Sequence, residues 1–336
     1  MNRILLTGGF GYIGSHTAAI LSDRNEEFVI YDNFSNIKLD IVKRLEETTN
    51  KKINYVNGDI RDTDKLINVI KNKKISSVIH FAALKSIEDS VNKPIEYYDV
   101  NVLGTISLLK AMQISEVKKL LFSSSASIYG EPEYLPIDEK HPLNALNPYG
   151  ESKLIVEKIL SDLSYSDSKW SIVSLRYFNP IGAHINGLIG DDPLLENTKN
   201  LMPSIINVAK GLKEIVNVYG DDYETPDGTG IRDYIHVMDL ADAHVKSLTY
   251  IEKFTGFDVF NLGTGRGFSV MELINTFENV TGQIIKKNII KRREGDVSCC
   301  FADPSKANKV LDWKTKMDLK DMCLSAWNFS NYSLNK

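Results

Sequence analysis

The sequence has few cysteines, no long hydrophobic run and no excess of basic residues, and each shortage excludes a class of protein. Only 3 of the 336 residues are cysteine, and neither these nor the 6 histidines have the spacing of metal ligands. Glycines interrupt the N-terminal stretch RILLTGGFGYIG, which is far shorter than the roughly 20 apolar residues of a membrane helix and unlike a signal peptide. We therefore expect a cytoplasmic protein without a disulfide framework, a bound metal or a membrane contact.

The charges are nearly balanced, and no segment gathers one sign. The chain has 40 Lys and Arg against 44 Asp and Glu, a net charge of −4 at pH 7, and the basic residues are scattered. A nucleic-acid-binding surface would need a basic patch, which this sequence lacks. With 43% hydrophobic residues the chain can bury a substantial core, so we expect small-molecule partners and no nucleic acid.

Short apolar runs alternate with helical stretches through the first half of the chain. These runs are RILLTG, EFVIYD, INYVNGD, SSVIHF and KKLLFSSS. Each run contains two to four apolar residues in direct succession, rather than an alternating pattern, which is typical of strands buried on both faces of a parallel sheet. The pattern predicts an α/β protein with a doubly wound, Rossmann-type parallel sheet.

After residue 180 this rhythm loosens into a segment rich in Gly, Asp, Pro and Asn, before RDYIHVMDLADAHVKSLTYI and DVFNLGTG restore a strand, a helix and a strand. Irregular polar segments often carry binding residues. We expect a Rossmann domain over 1–180, joined by 232–263, and a smaller α/β substrate-binding lobe over 181–231 and 264–336.

Three glycines, Gly8, Gly11 and Gly14, directly follow the first predicted strand, and a helix is predicted to begin near Tyr12. The first glycine allows a tight turn, the second lets the backbone approach a pyrophosphate, and the third lets the helix lie against the strand. This strand, loop and helix predict a dinucleotide site. The alternative is that the glycines only make a turn.

Asp32 ends the second predicted strand, FVIYD. A carboxylate there accepts hydrogen bonds from the adenosine ribose and repels a 2′-phosphate, so NAD is expected rather than NADP. Residues at the next two strand ends should line the same crevice, namely Asp59, Ile60, Phe81, Ala82 and Ala83.

Tyr149 and Lys153, in NPYGESK, stand four residues apart and share one face of a predicted helix. A free phenol has a pKa of about 10, too high for a base at neutral pH. The ammonium and the positive charge of oxidised nicotinamide would both favour its ionised form, and Ser125 in FSSSASIYG would hydrogen-bond the reacting oxygen. Tyr and Lys at this spacing are also common on solvated helices, so the pair gains its meaning from the glycine loop.

With the glycine loop, Asp32, Ser125 and YGESK, the chain resembles the extended short-chain dehydrogenase/reductases over nearly its whole length. Within that superfamily it is most similar to the UDP-glucose 4-epimerases, through LRYFNPIGAH, NLMP, DGTGIRDYIHVMDLADAH, FNLGTG and RREGD. The resemblance implies that Tyr149 takes the proton of the sugar 4-hydroxyl while hydride passes from carbon 4 to a tightly held NAD. Hydride then returns to the opposite face of the 4-keto sugar.

The resemblance also implies which residues contact each ligand. Besides those already named, the residues expected at the cofactor are Tyr12, Ile13, Asn33, Phe34, Ser35, Asn36, Lys85, Asn101, Ser123, Tyr177 and Phe178. The residues expected at the UDP-sugar are Lys85, Ser125, Ala126, Ser127, Tyr149, Asn179, Asn200, Leu201, Val218, Tyr219, Arg232, Arg293, Asp296 and Cys300. Among them Arg232 and Arg293 would grip the diphosphate, because guanidinium groups match phosphate oxygens bidentately, and Asp296 would bind the ribose.

Three positions distinguish the chain, in chemistry and substrate range, from proteins that it resembles. Nucleotide-sugar dehydratases resemble it but place Asp and Glu where Ala126 and Ser127 stand, so elimination of water is not expected. Cys300 falls where members restricted to UDP-glucose and UDP-galactose resemble one another in a bulky Tyr. The space left by the thiol predicts activity on UDP-N-acetylglucosamine and UDP-N-acetylgalactosamine too, although a buried pair of small residues at Cys299 and Cys300 is the simpler interpretation.

The sequence is also compatible with other functions. The chain could be a 4-epimerase of another sugar nucleotide, such as a UDP-uronate, or a net NAD-dependent oxidoreductase. A non-catalytic NAD sensor would typically lack Tyr149 and Lys153, which are both present. The resemblance implies a homodimer through the helices of VNVLGTISLLKAM and SKLIVEKILSDL, whose apolar spacing is equally explained by packing on their own sheet.

Overall fold

The computed structural model describes residues 3–193, 200–293 and 295–333. Strands form wherever the apolar runs were noted, and shorter strands follow in the second half. The strands of the described residues are β1 (Arg3–Thr7), β2 (Glu27–Asp32), β3 (Tyr55–Asn57), β4 (Ser77–His80), β5 (Lys119–Ser125), β6 (Ser171–Tyr177), β7 (Asn179–Ile181), β8 (Val216–Tyr219), β9 (Ile231–Arg232), β10 (Tyr234–His236), β11 (Gly256–Leu262), β12 (Phe268–Ser269), β13 (Lys287–Ile290) and β14 (Cys299–Cys300).

Helices connect most of these strands. They are α1 (Tyr12–Asp23), α2 (Asp40–Thr49), α3 (Thr63–Asn72), α4 (Ile87–Asn92), α5 (Pro94–Tyr97), α6 (Gly104–Ile114), α7 (Pro148–Ser166), α8 (Leu201–Ala209), α9 (Val237–Ile251), α10 (Val270–Thr281), α11 (Ser305–Val310) and α12 (Leu319–Ser333). A π-helical turn, Tyr98–Leu103, precedes α6, and a 3₁₀ turn, Ala126–Ile128, follows β5. Within the described ranges, no helix is both long and apolar enough to cross a membrane.

Seven strands form one sheet in the order β11-β6-β5-β4-β1-β2-β3, and each neighbouring pair is parallel. The predicted doubly wound α/β sheet is therefore confirmed. The strand order reverses between β1 and β4, which leaves a crevice at their carboxyl ends where ligands bind in sheets of this kind. The glycine loop after β1 and the loop after β4 both open into this crevice.

Helices cover both faces of the sheet, because its strands are apolar on both sides. On one face α1 packs against α9, and Leu21 and Leu240 join strand residues such as Leu6 in one hydrophobic cluster. On the other face α3, α6 and α7 contribute to a second cluster, in which Leu108 and Val156 lie. These two layers hold the strand ends at fixed positions around the crevice.

A separate core lies under the second half of the chain. Helices α8, α10 and α12 enclose buried residues such as Ile205, Phe277 and Met322. Next to them, β9 pairs with β12 and β14, and β8 pairs with β13. Strand β11 lies beside β6 in the large sheet. The division of the chain into two domains at the expected residues stays a prediction.

Candidate active site

The glycine loop joins β1 to α1 with no room for side chains. Gly8 has a φ of +69°, and a Cβ on it would lie 2.6 Å from the backbone nitrogen of Ala82. A Cβ on Gly14 would lie 2.7 Å from the Gly8 carbonyl oxygen. Gly11 is the N-cap of α1, so the free N–H groups of the first helical turn face the crevice. This close-packed cradle suits an anion of the size of a pyrophosphate.

Asp32 lies at the carboxyl end of β2, nearly buried, and binds two loops at once. One carboxylate oxygen accepts a hydrogen bond from the Phe10 N–H at 3.1 Å, and the other accepts one from the Phe34 N–H at 2.9 Å. Burial raises the pKa of Asp32, while these backbone hydrogen bonds act against the rise. The structure thus gives Asp32 a second function, since it fixes the glycine loop as well as facing the place expected for a ribose.

The remaining residues expected beside the adenosine follow β2 and β3. Asn33 donates to Asp59 at 3.4 Å, and Asp59 pairs with Arg61 at 2.7 Å, which lowers the pKa of Asp59 to about 2. The Phe34 ring lies 5.2 Å from that of Phe10. Ser35 and Asn36 follow β2, and the Ile60 side chain after β3 is buried in a core cluster, so their contacts with a cofactor stay a prediction.

The loop after β4 is held by Asn101. Its side-chain oxygen accepts the Leu84 N–H at 2.8 Å, and its amide nitrogen donates to the Leu84 carbonyl and to the Ser152 hydroxyl. Asn101 is buried, and its side chain is occupied by these bonds to Leu84, which directly follows Phe81, Ala82 and Ala83. A direct contact of Asn101 with a cofactor stays a prediction.

Lys85, on the same loop, projects across the crevice. Its Nζ lies 3.6 Å from a carboxylate oxygen of Asp191 and 5.9 Å from the centre of the Tyr12 ring. Tyr12 in turn donates its hydroxyl hydrogen to the Gly182 carbonyl at 2.6 Å, next to Ile13 at the start of α1. These contacts join residues expected at the cofactor to the segment that follows β7.

Tyr149 stands in the first turn of α7, a helix whose start is fixed by sequence. The Asn147 side chain accepts the Gly150 N–H at 2.9 Å, and Pro148 occupies the first helical position. Tyr149 thus faces the end of β5, beside Ser125. Burial raises the pKa of Tyr149, and the neighbouring Ser125 hydroxyl lowers it to a smaller extent.

Lys153 lies one turn further along α7, on the same face, and is buried. Its ammonium donates to the carbonyl of Ser123 at 2.7 Å, and its nitrogen lies 4.9 Å from the centre of the Phe122 ring. Burial lowers the pKa of Lys153 to about 7, against an opposing effect of Glu157. The spacing predicted that Tyr149 and Lys153 share one face of the helix. It did not predict that the Lys153 ammonium would bind the Ser123 carbonyl in β5, with Ser125 beside the phenol.

Tyr177 and Phe178, at the end of β6, are both buried. The Tyr177 hydroxyl hydrogen-bonds the Ser123 hydroxyl, and its ring lies 5.8 Å from that of His244. The structure therefore places Ser123 between Lys153 and Tyr177, behind Ser125. The predicted contacts of these residues with a cofactor or sugar are not tested by the contacts within the protein.

The residues expected around the UDP moiety lie on separate elements, and two pairs of them are in contact. Arg232, in β9, lies 3.2 Å from Asp296, and the Arg293 guanidinium lies 3.7 Å from the centre of the Tyr219 ring. The neighbouring residues in this group are Asn179 in β7, Asn200 at the N-cap of α8, and Leu201. The Val218 side chain is buried in the core under α8 and α10, and its contact with the UDP moiety stays a prediction.

Cys300 lies in β14 beside Arg232, its register partner in β9. Its side chain packs against a small cluster that contains Tyr129, Ile137 and Phe178. Burial raises the pKa of the Cys300 thiol to about 12, so the thiol is neutral and acts as a small apolar group. Both earlier interpretations, packing and pocket wall, are compatible with this environment.

The sequence analysis missed Asp233, which follows Arg232 and is fully buried. Its carboxylate accepts hydrogen bonds from the N–H groups of Thr264, Gly265 and Ala302, and its own N–H donates to the Cys300 carbonyl at 3.0 Å. Asp233 thereby positions the strand that carries Cys300. An acid directly after a predicted binding arginine was the one available signal. Among the described residues there is no group of His, Cys, Asp or Glu that could hold a metal ion.

Relatives with established names match this chain almost end to end. The family model described as GDP-mannose 4,6 dehydratase matches residues 5–325. A UDP-glucose 4-epimerase of Yersinia enterocolitica is 49% identical, with 99% of this chain and 98% of the relative covered. A UDP-glucose 4-epimerase of Bacillus subtilis is 47% identical over the same shares of both chains.

Solved structures agree with these relatives. The UDP-glucose-4-epimerase of Stenotrophomonas maltophila, with bound NAD and formylated UDP-arabinopyranose, has a TM-score of 0.97 at 44% identity and covers 100% of this chain and 99% of its own. The enzyme of Bifidobacterium longum, in complex with NAD⁺ and UDP, has a TM-score of 0.95 at 46% identity, with 99% of both chains covered. A UDP-Glc/GlcNAc 4-epimerase of Campylobacter jejuni has a TM-score of 0.86 at 34% identity, with 99% and 100% covered.

Proposed function

This chain belongs to the UDP-glucose 4-epimerase family, and on that premise we propose how its own residues perform the reaction and which sugars it accepts. It is an NAD-dependent isomerase that interconverts UDP-glucose and UDP-galactose. A net oxidoreductase or an epimerase of UDP-uronates is not favoured, because relatives 44% to 49% identical are named UDP-glucose 4-epimerase.

One observation carries the reaction type: Tyr149 and Ser125 meet at the crevice, and the residues after Ser125 are Ala126 and Ser127. These two form a 3₁₀ turn in which the Ser127 N–H donates to the Ser125 hydroxyl at 3.1 Å. Neither can act as the acid or base that elimination of water would need. The site is equipped to move a hydroxyl proton, which is the protein's share of an epimerisation.

The crevice fits a dinucleotide. The cradle at Gly8 and Gly14 would be filled by any Cβ, and Asp32 stands at the end of β2, where a ribose would lie. Bound NAD supplies the group that accepts a hydride from the sugar and returns it. The chain's residues would hold the nucleotide through the glycine loop, Asp32 and the loop positioned by Asn101, as expected from the sequence.

The proton is handled by Tyr149. Its phenol would remove the proton of the 4-hydroxyl and later return it, while the Ser125 hydroxyl hydrogen-bonds the reacting oxygen. Lys153, bound to the Ser123 carbonyl, supplies a positive charge about one helical turn behind the phenol. Because burial raises the pKa of Tyr149, the phenol would ionise readily only when further positive charge bound in the crevice lowers that pKa.

The UDP moiety would be held by the second half of the chain. Arg232 and Arg293 would offset the charge of the diphosphate, and Tyr219 lies under Arg293. Binding energy placed on UDP leaves the sugar free to turn, so that the keto sugar can present its other face. Inversion at carbon 4 requires such tight binding of UDP together with loose binding of the sugar.

For the substrate range, we propose that the enzyme also accepts UDP-N-acetylglucosamine and UDP-N-acetylgalactosamine. Cys300 is a small, neutral group beside Arg232, and it leaves the volume that a bulky side chain would fill. The similarity to a relative named UDP-Glc/GlcNAc 4-epimerase supports the same range.

We further propose a homodimer in the cytoplasm. Exposed apolar residues lie on or beside the two helices expected at the interface, namely Leu103, Ile114 and Tyr165, and an apolar surface of this kind suits a second copy. All three cysteines are free thiols, as expected in a reducing compartment. Sedimentation equilibrium of the purified protein tests the dimer, and a monomer at micromolar concentration would contradict it.

The function is tested by incubating the purified protein, without added NAD, with each of the four UDP-sugars and separating the products. We expect each UDP-hexose to reach an equilibrium mixture with its 4-epimer. The absorbance of reduced nicotinamide should not accumulate. Stoichiometric accumulation of reduced cofactor, with an oxidised sugar as product, would contradict the proposal.

A further inference from the structure

A third residue of α7, Glu157, shares the face of Tyr149 and Lys153 and is only 3% exposed. A buried carboxylate is costly unless it is paired and hydrogen-bonded. Arg176 in β6 supplies the pairing, with its Nη2 2.6 Å from Oε2. The hydroxyls of Ser124 and Ser174 donate to Oε1 at 2.6 and 2.7 Å. Nothing in the proposed reaction has so far used this group.

The contacts of Glu157 continue those of its neighbours on α7. Lys153 and Glu157, one helical turn apart, bind two consecutive residues at the end of β5, through the Ser123 carbonyl and the Ser124 hydroxyl. Tyr149, one turn earlier on the helix, faces Ser125. Such a pattern fixes both the rotation and the height of the helix relative to the strand.

We propose that Glu157 is a positioning residue for epimerisation, which acts through Ser124 and Lys153 without touching a ligand. The inference rests on the proposed function, because the step it serves is the proton transfer at Tyr149. Its carboxylate holds α7 against β5 through Ser124 and against β6 through Ser174 and Arg176. Without it, the turn that carries Lys153 has one anchor fewer on the strand.

The charge of Glu157 acts on Lys153 as well. The other titratable groups that face Lys153 are Tyr149 on its own helix and His80 in β4. His80 is buried between two threonine hydroxyls, and burial lowers its pKa to about 3, so it stays neutral. Glu157 alone therefore raises the pKa of Lys153, against the burial that lowers it.

On its far side, Glu157 faces Arg176, whose Nη1 donates to the Tyr129 hydroxyl at 3.0 Å. The Tyr129 hydroxyl in turn donates to Asn261 at 2.6 Å. Arg176 is thus held on the side of the carboxylate away from Lys153. The network binds β5, β6, β11 and α7 together behind the catalytic residues.

The test compares Glu157→Gln, which keeps the shape and removes the charge, with Asp162→Asn. Asp162 lies on the same helix, is exposed, and pairs only with Lys158 in the described structure. We expect kcat of Glu157→Gln to fall about tenfold with KM for UDP-glucose within about twofold of the parent. Its kcat should decline with rising pH earlier than that of the parent, because Lys153 loses its proton sooner. Asp162→Asn should behave as the parent.

The double variant Glu157→Gln with Arg176→Gln separates a purely structural effect from the effect of the Glu157 charge on Lys153, because it leaves no uncompensated buried charge. We expect it to regain the unfolding temperature lost in the single variant while keeping the shifted pH profile. If it regains the parent profile too, the proposed role is overturned.

A readout that needs no turnover is the titration of Lys153 by NMR of ¹³C-labelled lysine, with the resonance assigned from its absence in Lys153→Met. The Lys153 resonance should titrate at lower pH in Glu157→Gln, and an unchanged titration would overturn the inference. If the parent itself fails to interconvert UDP-hexoses, the proposed function is contradicted instead, and the NMR titration still decides what Glu157 does to Lys153.

Discussion

The ammonium nitrogen of Lys153 lies 2.7 Å from the carbonyl oxygen of Ser123 and 5.9 Å from the centre of the Tyr149 ring. The lysine therefore holds the end of β5, on which Ser125 stands, and acts on the phenol only through its charge. Burial raises the pKa of Tyr149, so the chain by itself keeps the phenol protonated.

Removing the phenolic oxygen should stop the reaction without unfolding the protein. We expect Tyr149→Phe to lower kcat by about 10²- to 10⁴-fold, the usual contribution of a positioned acid or base, and to retain bound NAD. Coupled assay of UDP-glucose formation from UDP-galactose measures the loss. Tyr165→Phe, on the exposed side of the same helix, is the control and should keep parent activity. Equal activity in both variants would refute the assignment of Tyr149.

Replacing Lys153 should stabilise the cofactor-free protein while abolishing its activity. The pKa of Lys153 is lowered from 10.5 to about 7 on folding. Between these values the unfolded chain binds a proton that the folded chain does not, so the parent becomes more stable as pH rises, and below about pH 7 it carries the full penalty of a buried charge.

Lys153→Met has no such penalty. The variant also loses the hydrogen bond to Ser123, which offsets part of this advantage. We expect its free energy of unfolding to exceed that of the parent by about 2 kcal/mol at about pH 6, and the difference to shrink towards pH 10. Urea unfolding at several pH values measures it. Lys158→Met, an exposed lysine of the same helix, should show no pH-dependent difference from the parent, and a Lys153→Met difference that grows with pH would contradict the sign.

Side-chain volume at position 300 should decide the substrate range. A phenol in Cys300→Tyr would occupy the space beside Arg232 that we assign to the acetamido group, so activity on acetylated UDP-sugars should fall about 100-fold while activity on UDP-galactose stays within a few-fold. Product analysis with all four sugars measures both. Cys300→Ser keeps the volume and should keep both activities. Equal loss of both in Cys300→Tyr would point to damaged packing against Tyr129 and Phe178.

Most of the binding energy should come from UDP. Arg293→Met is expected to weaken UDP and UDP-glucose equally, by about 1.5 to 3 kcal/mol each, the range of hydrogen bonds to charged groups. Isothermal titration measures both ligands. Arg292→Met is the matched control, since Arg292 stacks on Tyr223 and pairs with Asp222. A parent that binds UDP far more weakly than UDP-glucose would show that the sugar is held tightly, which contradicts the free turning of the intermediate.

Part of the site could be predicted because it is local in sequence. The positions of Gly8, Gly11 and Gly14 between a strand and a helix, and the four-residue spacing of Tyr149 and Lys153, depend on backbone geometry within one turn or loop. Apolar runs of this kind also predict a covered parallel sheet, whose strand ends meet at one edge. The sequence was therefore sufficient to predict the α/β fold and to identify the first candidate catalytic residues.

What each side chain contacts was decided only by the tertiary structure. The partners of Asp32, Asn101 and Lys153 lie on neighbouring strands, loops or helices, and spacing along the chain carries no information about them. The burial of the Val218 side chain in a core cluster likewise depends on helices distant in sequence. Glu157 and Asp233 are buried charges that only the assembled strands can satisfy. Local geometry thus determined which elements form and which residues they carry, whereas packing between distant segments determined which charges are buried, which are paired and which face the crevice.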